Sequence, residues 1–311
     1  MTRQVLLWGV ADDPPLCAVR RELQARGIPH RLVDQRRLGT VGLELDAEPG
    51  GVTGRLRLAG ERIDLRAFGA LYARPVLARQ READDSELAL ERRLYAWANT
   101  CDALVVNRPS SAASNDSKPD QLEAIRRYGF AVPETLVTTS PDAARAFVAR
   151  HGAVICKSVG RIRSVVSRVD ETWLRRLDAV ACFPTQFHAW NDGVDWRVHV
   201  VGDAVFACEI RCSADDYRAA ARHGVAVDVR AAALPPAVAA RCRALSAGLG
   251  LHLAGIDLRR APDGGWTCFE VNPSPAFTYY EAVSGQGLTA AVAGLLAGAP
   301  QRAAGGQGGQ T

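Results

Sequence analysis

Glu270 and Asn272 stand two residues apart in the run WTCFEVNPSPAFTYYE, which spans Trp266 to Glu281. The β-branched and aromatic stretch Thr267 to Val271 reads as a buried strand. Pro273 and Pro275 end it, because neither can donate to a ladder. Residues two apart on a strand share a face. A second strand-like run, LAGIDLRR, lies just upstream, with a turn at Asp263-Gly264-Gly265 between the two. Antiparallel pairing of Ile256–Arg260 with Thr267–Val271 sets Asp257 opposite Glu270, with Asn272 one step along the same face. Two carboxylates and an amide oxygen at a sheet surface suit a hard cation such as Mg2+, which keeps open positions for water and phosphate. A satisfied polar cluster at a strand end is the competing reading.

Lysine adds a second signal. Lys and Arg together number 38, yet Lys occurs only at Lys118 and Lys157. A compact ammonium on a flexible stem does what a planar guanidinium cannot, and phosphate binding is a common use of it. Arg197 in DWRVHVV and Arg211 at the end of AVFACEIR lie on a hairpin turned at Gly202-Asp203. Asp195 shares a face with Arg197, and Glu209 shares one with Arg211. A salt-bridged, solvated sheet face accounts equally well for any one of these residues. Together, a cation, two lysines and two arginines suit a polyphosphate and the charge that develops in phosphoryl transfer. No G-x-x-x-x-G-K-S/T loop and no G-x-G-x-x-G occurs, which argues against P-loop and Rossmann sites.

The elements that must position these groups alternate between strand and helix. QVLLWGV is a strand, followed by a helix over about Pro14 to Gly27 and a second strand, IPHRLVD. VTGRLRLAGERI reads as a hairpin, FGALYARP as a strand ended by Pro75, DSELALERRLYAWANTC as a helix and ALVVN as a strand. This is a small α/β domain. Arg108 to Asp120 reads as a polar linker. A helix to Tyr128, AVPETLVT, a helix from Pro141 to Gly152 and the strand AVICKSVG follow, with VVSRV pairing across a turn at Gly160. A helix near Thr172 leads to ACFPTQFHAW. Beyond the two hairpins, PPAVAARCRALSAGLG and Gly287 to Leu296 read as helices, and QRAAGGQGGQT as a flexible tail. The domains expected are 1–107, 108–184 and 185–298, with the tail at 299–311.

At 311 residues, 48% hydrophobic and 23% charged, the composition is that of a soluble globular protein. A net charge of +4, spread as short arginine pairs, gives no nucleic-acid footprint. No apolar stretch reaches membrane-spanning length, and no signal peptide is read. The eight cysteines form no C-x-x-C pair, which points to a reducing cytoplasm without structural zinc.

These motifs resemble the ATP-grasp ligases, and within them the RimK-like branch. The pieces that carry the resemblance are NRPSSAASNDSKPDQLEAIRRYGFAVPETLVT, AVICKSVG, TQFHAWNDGVDWRVHVVGDAVFACEIR, AGIDL and FEVNPSPAF, in family order over about Asn107 to Leu296. The resemblance implies an α/β (α+β) ATP-grasp fold, with central and C-terminal subdomains gripping ATP behind an N-terminal domain. It implies ATP with two Mg2+ ions, Mn2+ being able to substitute. It assigns Lys118 and Lys157 to the nucleotide phosphates, and Gln186, Phe187 and His188 to the strand that meets the adenine edge. Asp195 falls near the ribose, and Arg197 and Arg211 by the transferred phosphate. Asp257, Glu270 and Asn272 hold the metal, and Ser274 lies where the acceptor approaches. One departure stands out: the family's Phe-Arg-x-Asn segment corresponds to YRAA, Tyr217 to Ala220, without the Asn.

FGALYARP is similar to the Tyr-Arg-Pro segment in the N-terminal domains of graspetide ligases, which cyclise ribosomal peptides through side-chain esters or amides. That places Arg74 near substrate. The resemblance implies an acyl-phosphate ligase joining an amino-acid or peptide carboxylate to an amine or hydroxyl. A ribosomal precursor peptide is one candidate substrate, and no nucleic acid or membrane partner is expected. The assembly, with a homodimer as one candidate, stays open. Peptide macrocyclisation, a small-molecule kinase on the same scaffold and a non-catalytic nucleotide-binding regulator are the alternatives.

Overall fold

The computed structural model describes residues 4–49, 51–76, 84–115, 117–158, 167–214, 216–220 and 224–298. Its first part holds β1 (Gln4–Gly9), α1 (Pro14–Ala25), β2 (His30–Asp34), β3 (Gly42–Glu48), β4 (Gly51–Leu58), β5 (Glu61–Asp64), β6 (Phe68–Arg74), α2 (Asp85–Thr100) and β7 (Leu104–Val106). Strands β2, β1, β6 and β7 form a parallel sheet in that order. Their near-continuous apolar runs are what a sheet covered on both faces requires. On one face Leu6, Trp8 and Leu71 pack with Leu94 and Trp97 of α2 and Leu56 of β4. The expected β4–β5 hairpin is present, and β3 joins it as a third antiparallel strand that turns Leu43 and Leu45 to the same core.

The stretch from Arg108 to Asp120 is not a linker. It contains α3 (Pro109–Ala112), a 3-10 turn (Ala113–Asn115) and the start of α4 (Lys118–Arg127). Pro109 and Pro119 sit in first turns, where a missing N–H costs nothing, and the Ser117 hydroxyl accepts from the Asp120 amide. Burial of Leu122 and Ile125 in the C-terminal core fixes α4 against the polar composition of the residues before it.

The middle part continues with β8 (Thr135–Thr138), α5 (Pro141–His151), β9 (Val154–Ser158), β10 (Ser167–Arg168), α6 (Glu171–Arg175) and β11 (Thr185–Ala189). Its antiparallel sheet runs β10-β9-β11-β8 and has its own core, including Phe147, Cys156, Leu177 and Phe187. Ser167 and Arg168 pair with Cys156 and Ile155 as the sequence suggests, while the turn at Gly160 lies outside the described residues.

The last part holds β12 (Val194–Val201), β13 (Ala204–Cys212), α7 (Tyr217–Ala220), β14 (Val227–Ala231), α8 (Pro236–Gly248), β15 (Leu253–Arg260), β16 (Trp266–Asn272), α9 (Thr278–Ser284) and α10 (Leu288–Ala297). Its antiparallel sheet runs β14-β13-β12-β15-β16. Strand β14 and helix α9 were not expected. One sheet face, with Val198, Ile256 and Val271, packs on α8 and α4. Helix α10 returns to the first part. Leu288, Val292 and Leu296 share a core with Val5, Leu7, Ala70 and Tyr72 of the parallel sheet and with Leu16, Val19 and Leu23 of α1. The tail from 299 lies outside the described residues. Among these residues no helix is long and apolar enough to cross a membrane.

Candidate active site

The C-terminal sheet lines up a row of three charged residues. Arg197 on β12 is directly opposite Asp257 on β15, and Asp257 is directly opposite Glu270 on β16. Residues in direct register share a face, so the row lies on the side of the sheet away from α8. The Asp257–Glu270 register is the one that the hairpin pattern predicts. A bulge after Asp257 pairs Leu258 with Cys268 and leaves Phe269 over.

Asp257 is held at both oxygens. Arg197 Nη1 lies 2.6 Å from Oδ1, and Arg218 Nη1, from α7, lies 3.2 Å from Oδ2. Burial pushes this carboxyl's pKa up, but the Arg197 and Arg218 cations override it and hold it below the usual carboxylate range. Arg197 is only 5% exposed. Burial opposes its charge, and Asp257 together with the Tyr280 and Tyr217 hydroxyls more than compensates. Its Nε donates to His199 Nε2 at 3.3 Å, and burial, then the Arg197 charge, keep His199 neutral. Gly255 makes room for this arginine, since a Cβ there would fall 2.1 Å from Arg197 Nη2 and 2.7 Å from Pro275 Cβ. Tyr280 completes the wall: its ring centroid is 5.5 Å from the Arg197 guanidinium, and its hydroxyl is 3.0 Å from that of Tyr217.

Lys118 reaches this row from another element, and Lys157 lies within electrostatic range of it. Lys118, first residue of α4, places Nζ 3.0 Å from Glu270 Oε1 and donates to Asn115 Oδ1 at 2.6 Å. Lys157 on β9 has its pKa lowered by burial and by the charges of Lys118 and Arg218, while Glu270 and Asp257 pull it upward. Gln186 pairs directly with Lys157 across the central sheet, so Gln186 and His188 turn to the lysine's side. Gln186 Nε2 lies 2.8 Å from His188 Nε2, and His188 Nδ1 lies 2.7 Å from Thr135 Oγ1. Burial and the two lysine charges push His188 down to about 3, so it is neutral at physiological pH. Phe187, between them, is buried in the central core instead. Asp195 lies on the row's face but is held by Arg259, at 2.8 and 3.1 Å.

Two side chains that the sequence does not single out hold the metal-candidate strand. Gln121 of α4 accepts from Val271 N at 3.1 Å and donates to Val271 O at 2.9 Å, serving as an extra strand neighbour. Asn107 donates to Leu253 O and Pro273 O, both at 2.6 Å, and accepts from His252 N and Leu253 N. Just beyond, the Asn272 side chain accepts from Ser274 N at 2.8 Å, and Ser274 is exposed at the lip of the site.

Two expected residues are not brought to the row. Cys208 and Ile210 turn to the row's side and pack on Tyr217 and Tyr280, so strand alternation turns Arg211 to the other face. Its side chain is 68% exposed and pairs with Glu209 at 2.7 Å. Arg218, inside the YRAA segment, supplies the second arginine. Arg74 is buried and already engaged, with Nε 2.7 Å from Asp13 Oδ2 and Nη1 donating to Pro275 O at 3.1 Å. It joins the N-terminal domain to the loop after Asn272 and presents no free fork to a substrate carboxylate.

Lys118, Lys157, Arg197 and Arg218 outnumber Asp257, Glu270 and the Asp216 that pairs with Arg218 at 3.2 Å, so the cluster is net positive. A net positive cluster of this kind suits an anionic polyphosphate. Among the described residues no group of three His, Cys, Asp or Glu could hold a metal. The candidate donors are therefore two carboxylates and the Asn272 amide, an all-oxygen set that fits Mg2+ rather than a softer ion.

The family model for the RimK-like ATP-grasp domain matches residues 114–296. Several solved structures are similar over nearly the whole chain. The macrocyclase MdnC from Microcystis aeruginosa MRC, bound with precursor peptide MdnA, has a TM-score of 0.79 at 19% identity, over 94% of this chain and 99% of its own. The ATP-grasp ligase PsnB, complexed with a minimal precursor, has 0.77 at 25% identity, over 95% and 98%. A RiPP-associated ATP-grasp ligase from Chryseobacterium gregarium, in complex with ADP and a leader and core peptide, has 0.77 at 20% identity, over 94% and 96%. No curated protein matches the sequence.

Proposed function

This chain belongs to the RimK-like ATP-grasp family, an ATP-dependent ligase family, and from that membership we propose that it activates a side-chain carboxylate of a ribosomal precursor peptide and closes it onto a hydroxyl or amine of the same peptide. The observation that carries the peptide reading is the likeness to peptide-bound ligases over 94–95% of the chain. It includes the N-terminal domain, which lies outside the family match at 114–296. The division at 1–107, 108–184 and 185–298, a homodimeric assembly and a cytoplasmic setting belong to the same proposal.

Lys118 and Lys157 bind the nucleotide phosphates, with Gln186 and His188 beside the base. Asp257, Glu270 and Asn272 would hold Mg2+, two ions in this reading with Mn2+ competent in their place, and the metal supplies neutralisation of polyphosphate charge when bound. The nucleotide phosphates draw the Lys118 and Arg218 side chains off the carboxylates they now neutralise. A carboxylate oxygen of the peptide attacks the γ-phosphorus, the bond to the β–γ bridging oxygen breaks, and ADP leaves. The acceptor oxygen or nitrogen then attacks the acyl carbon, phosphate departs with the bonding pair, and the acceptor loses its proton. Arg197 and Arg218 stabilise charge on the transferred group, and the protein need form no covalent bond.

Mass spectrometry of a precursor peptide encoded beside the gene, incubated with ATP, tests this. Each ring closure should remove one water and release one ADP. A product heavier by a separate acceptor less water would replace macrocyclisation with ligation to that acceptor. A stable phosphorylated product would overturn both. Lys157→Met should weaken nucleotide binding by about 1.5–3 kcal/mol, roughly ten- to a hundredfold. A calorimetric titration with ATP that matches the wild type would remove Lys157 from the phosphate site.

A further inference from the structure

The three-stranded sheet of the N-terminal domain borders a cavity of about 430 Å³, of the size that ligands occupy. Arg55, Arg57, Arg62 and Arg93 line it, against a single carboxylate, Glu44. Leu38, Leu43 and Leu90 give it an apolar side.

The register shows which of these charges are answered. Arg55 on β4 lies between Glu44 on β3 and Asp64 on β5, so it has a carboxylate on each side. Arg57, two residues on, lies between Gly42 and Arg62. Like charges directly opposite on an antiparallel pair destabilise it. The position where a carboxylate would answer Arg57 is held by Gly42, and the arginine uses the space, since a Cβ on Gly42 would come 2.9 Å from Arg57 Nε. Arg93 adds a third guanidinium from α2. Among the described residues, no side chain forms an ion pair or a side-chain hydrogen bond with Arg57, Arg62 or Arg93. Arg57, Arg62 and Arg93 are exposed around this cavity, where an anion from outside can meet them.

The cavity also lies at the useful edge of the domain. Its wall at Leu38 belongs to the turn Gln35–Thr40, which leaves the C-terminal end of β2. Ser86 and Leu90 begin α2, the helix that follows β6 in the chain. The last residue of β6, Arg74, donates to Pro275 O in the loop after the metal-candidate strand. The turn and helix that line the arginine cavity and the Arg74–Pro275 contact thus all follow the C-terminal ends of the parallel strands.

We propose that this cavity is a docking site for an acidic segment of the precursor peptide, distinct from the residues being ligated, with Arg57, Arg62 and Arg93 taking its carboxylates. The occupant follows from the peptide reading above, on which this inference rests. The three unanswered guanidinium groups complement a carboxylate-bearing peptide, because guanidinium forks take carboxylates bidentately.

Fluorescein-labelled hexaglutamate provides the probe, read by fluorescence anisotropy, with hexaglutamine as its neutral counterpart. Hexaglutamate should bind the wild-type protein saturably and hexaglutamine should not. Affinity should fall about tenfold or more in Arg57→Ala/Arg62→Ala and much less in Arg55→Ala, whose charge is already answered. The double variant should melt no lower than the wild type, because it loses a repulsion, and should bind ATP unchanged. Failure of the wild type to bind hexaglutamate, or a double variant that keeps the affinity, overturns the site. A hexaglutamate response that depends on Arg57 and Arg62, alongside a precursor whose mass ATP leaves unchanged, supports the site and overturns the substrate reading instead.

Discussion

Glu270→Gln should give a folded protein whose ADP formation is lower by about 10²–10³-fold, the cost typical of removing one preorganised charged contact to a transition state. Glu270 is half-buried at the edge strand, and its ion partner is Lys118 at 3.0 Å. Glutamine keeps the size, so β16 stays paired through Gln121 and the β15 register. The fold should lose no more than about 1 kcal/mol, as for other partly exposed pairs. Catalysis loses a charged oxygen ligand, and Lys157 loses the strongest attraction that holds its proton on. A coupled ADP assay beside a thermal melt separates the two effects. Turnover within about threefold of wild type in a folded variant would exclude Glu270 from the metal site, because such ligands cost far more.

Asp257→Asn, one strand away in the same row, should fail in the opposite sense. Asp257 is the counter-charge of the buried Arg197 and also pairs with Arg218. Neutralising it leaves a guanidinium that is 5% exposed without an anion, a defect that costs about 3–5 kcal/mol. Urea titration should show the midpoint falling accordingly, and Asp257→Asn/Arg197→Met should recover most of the loss. An unchanged midpoint in the single variant would mean that the pair contributes nothing to the fold. The sign of the pH effect follows from the same contact. The folded carboxyl titrates below its unfolded value of about 3.9. The stability it contributes is therefore complete above that value and is lost as pH falls through the lower, folded one.

The sequence carried the row because period and turn together fix register. With one turn at Asp263-Gly264-Gly265, the face shared by Asp257 and Glu270 follows from alternation alone. The lysines were legible because the chain holds only two. Arg211 does not reach the row, and the information for that was present. The turn at Gly202-Asp203 pairs Val201 with Ala204, which sets Arg197 against Cys208 and turns Arg211 away. Arg218 could not be found that way. It reaches Asp257 from a short helix after β13, and only the tertiary fold brings Tyr217 and Tyr280 around it. Arg74 shows the same limit: its partners, Asp13 and Pro275, lie 61 and 201 residues away. The Arg108–Asp120 stretch misled because polar composition competes poorly with the burial of Leu122 and Ile125 just beyond it.

The return of α10 to the first sheet has a consequence for the order in which the molecule can be made. Val5, Leu7, Ala70 and Tyr72 leave the ribosome more than 200 residues ahead of Leu288, Val292 and Leu296, which form part of their cover. Domains generally fold as they leave the ribosome, at about 5–20 residues per second. Here the parallel sheet must wait for the whole middle and C-terminal sheets to be made before its interior closes. Until then it carries an apolar sheet face that is only partly roofed, by α1 alone. The nascent chain is thus exposed to aggregation and to chaperone capture at its parallel sheet until α10 arrives.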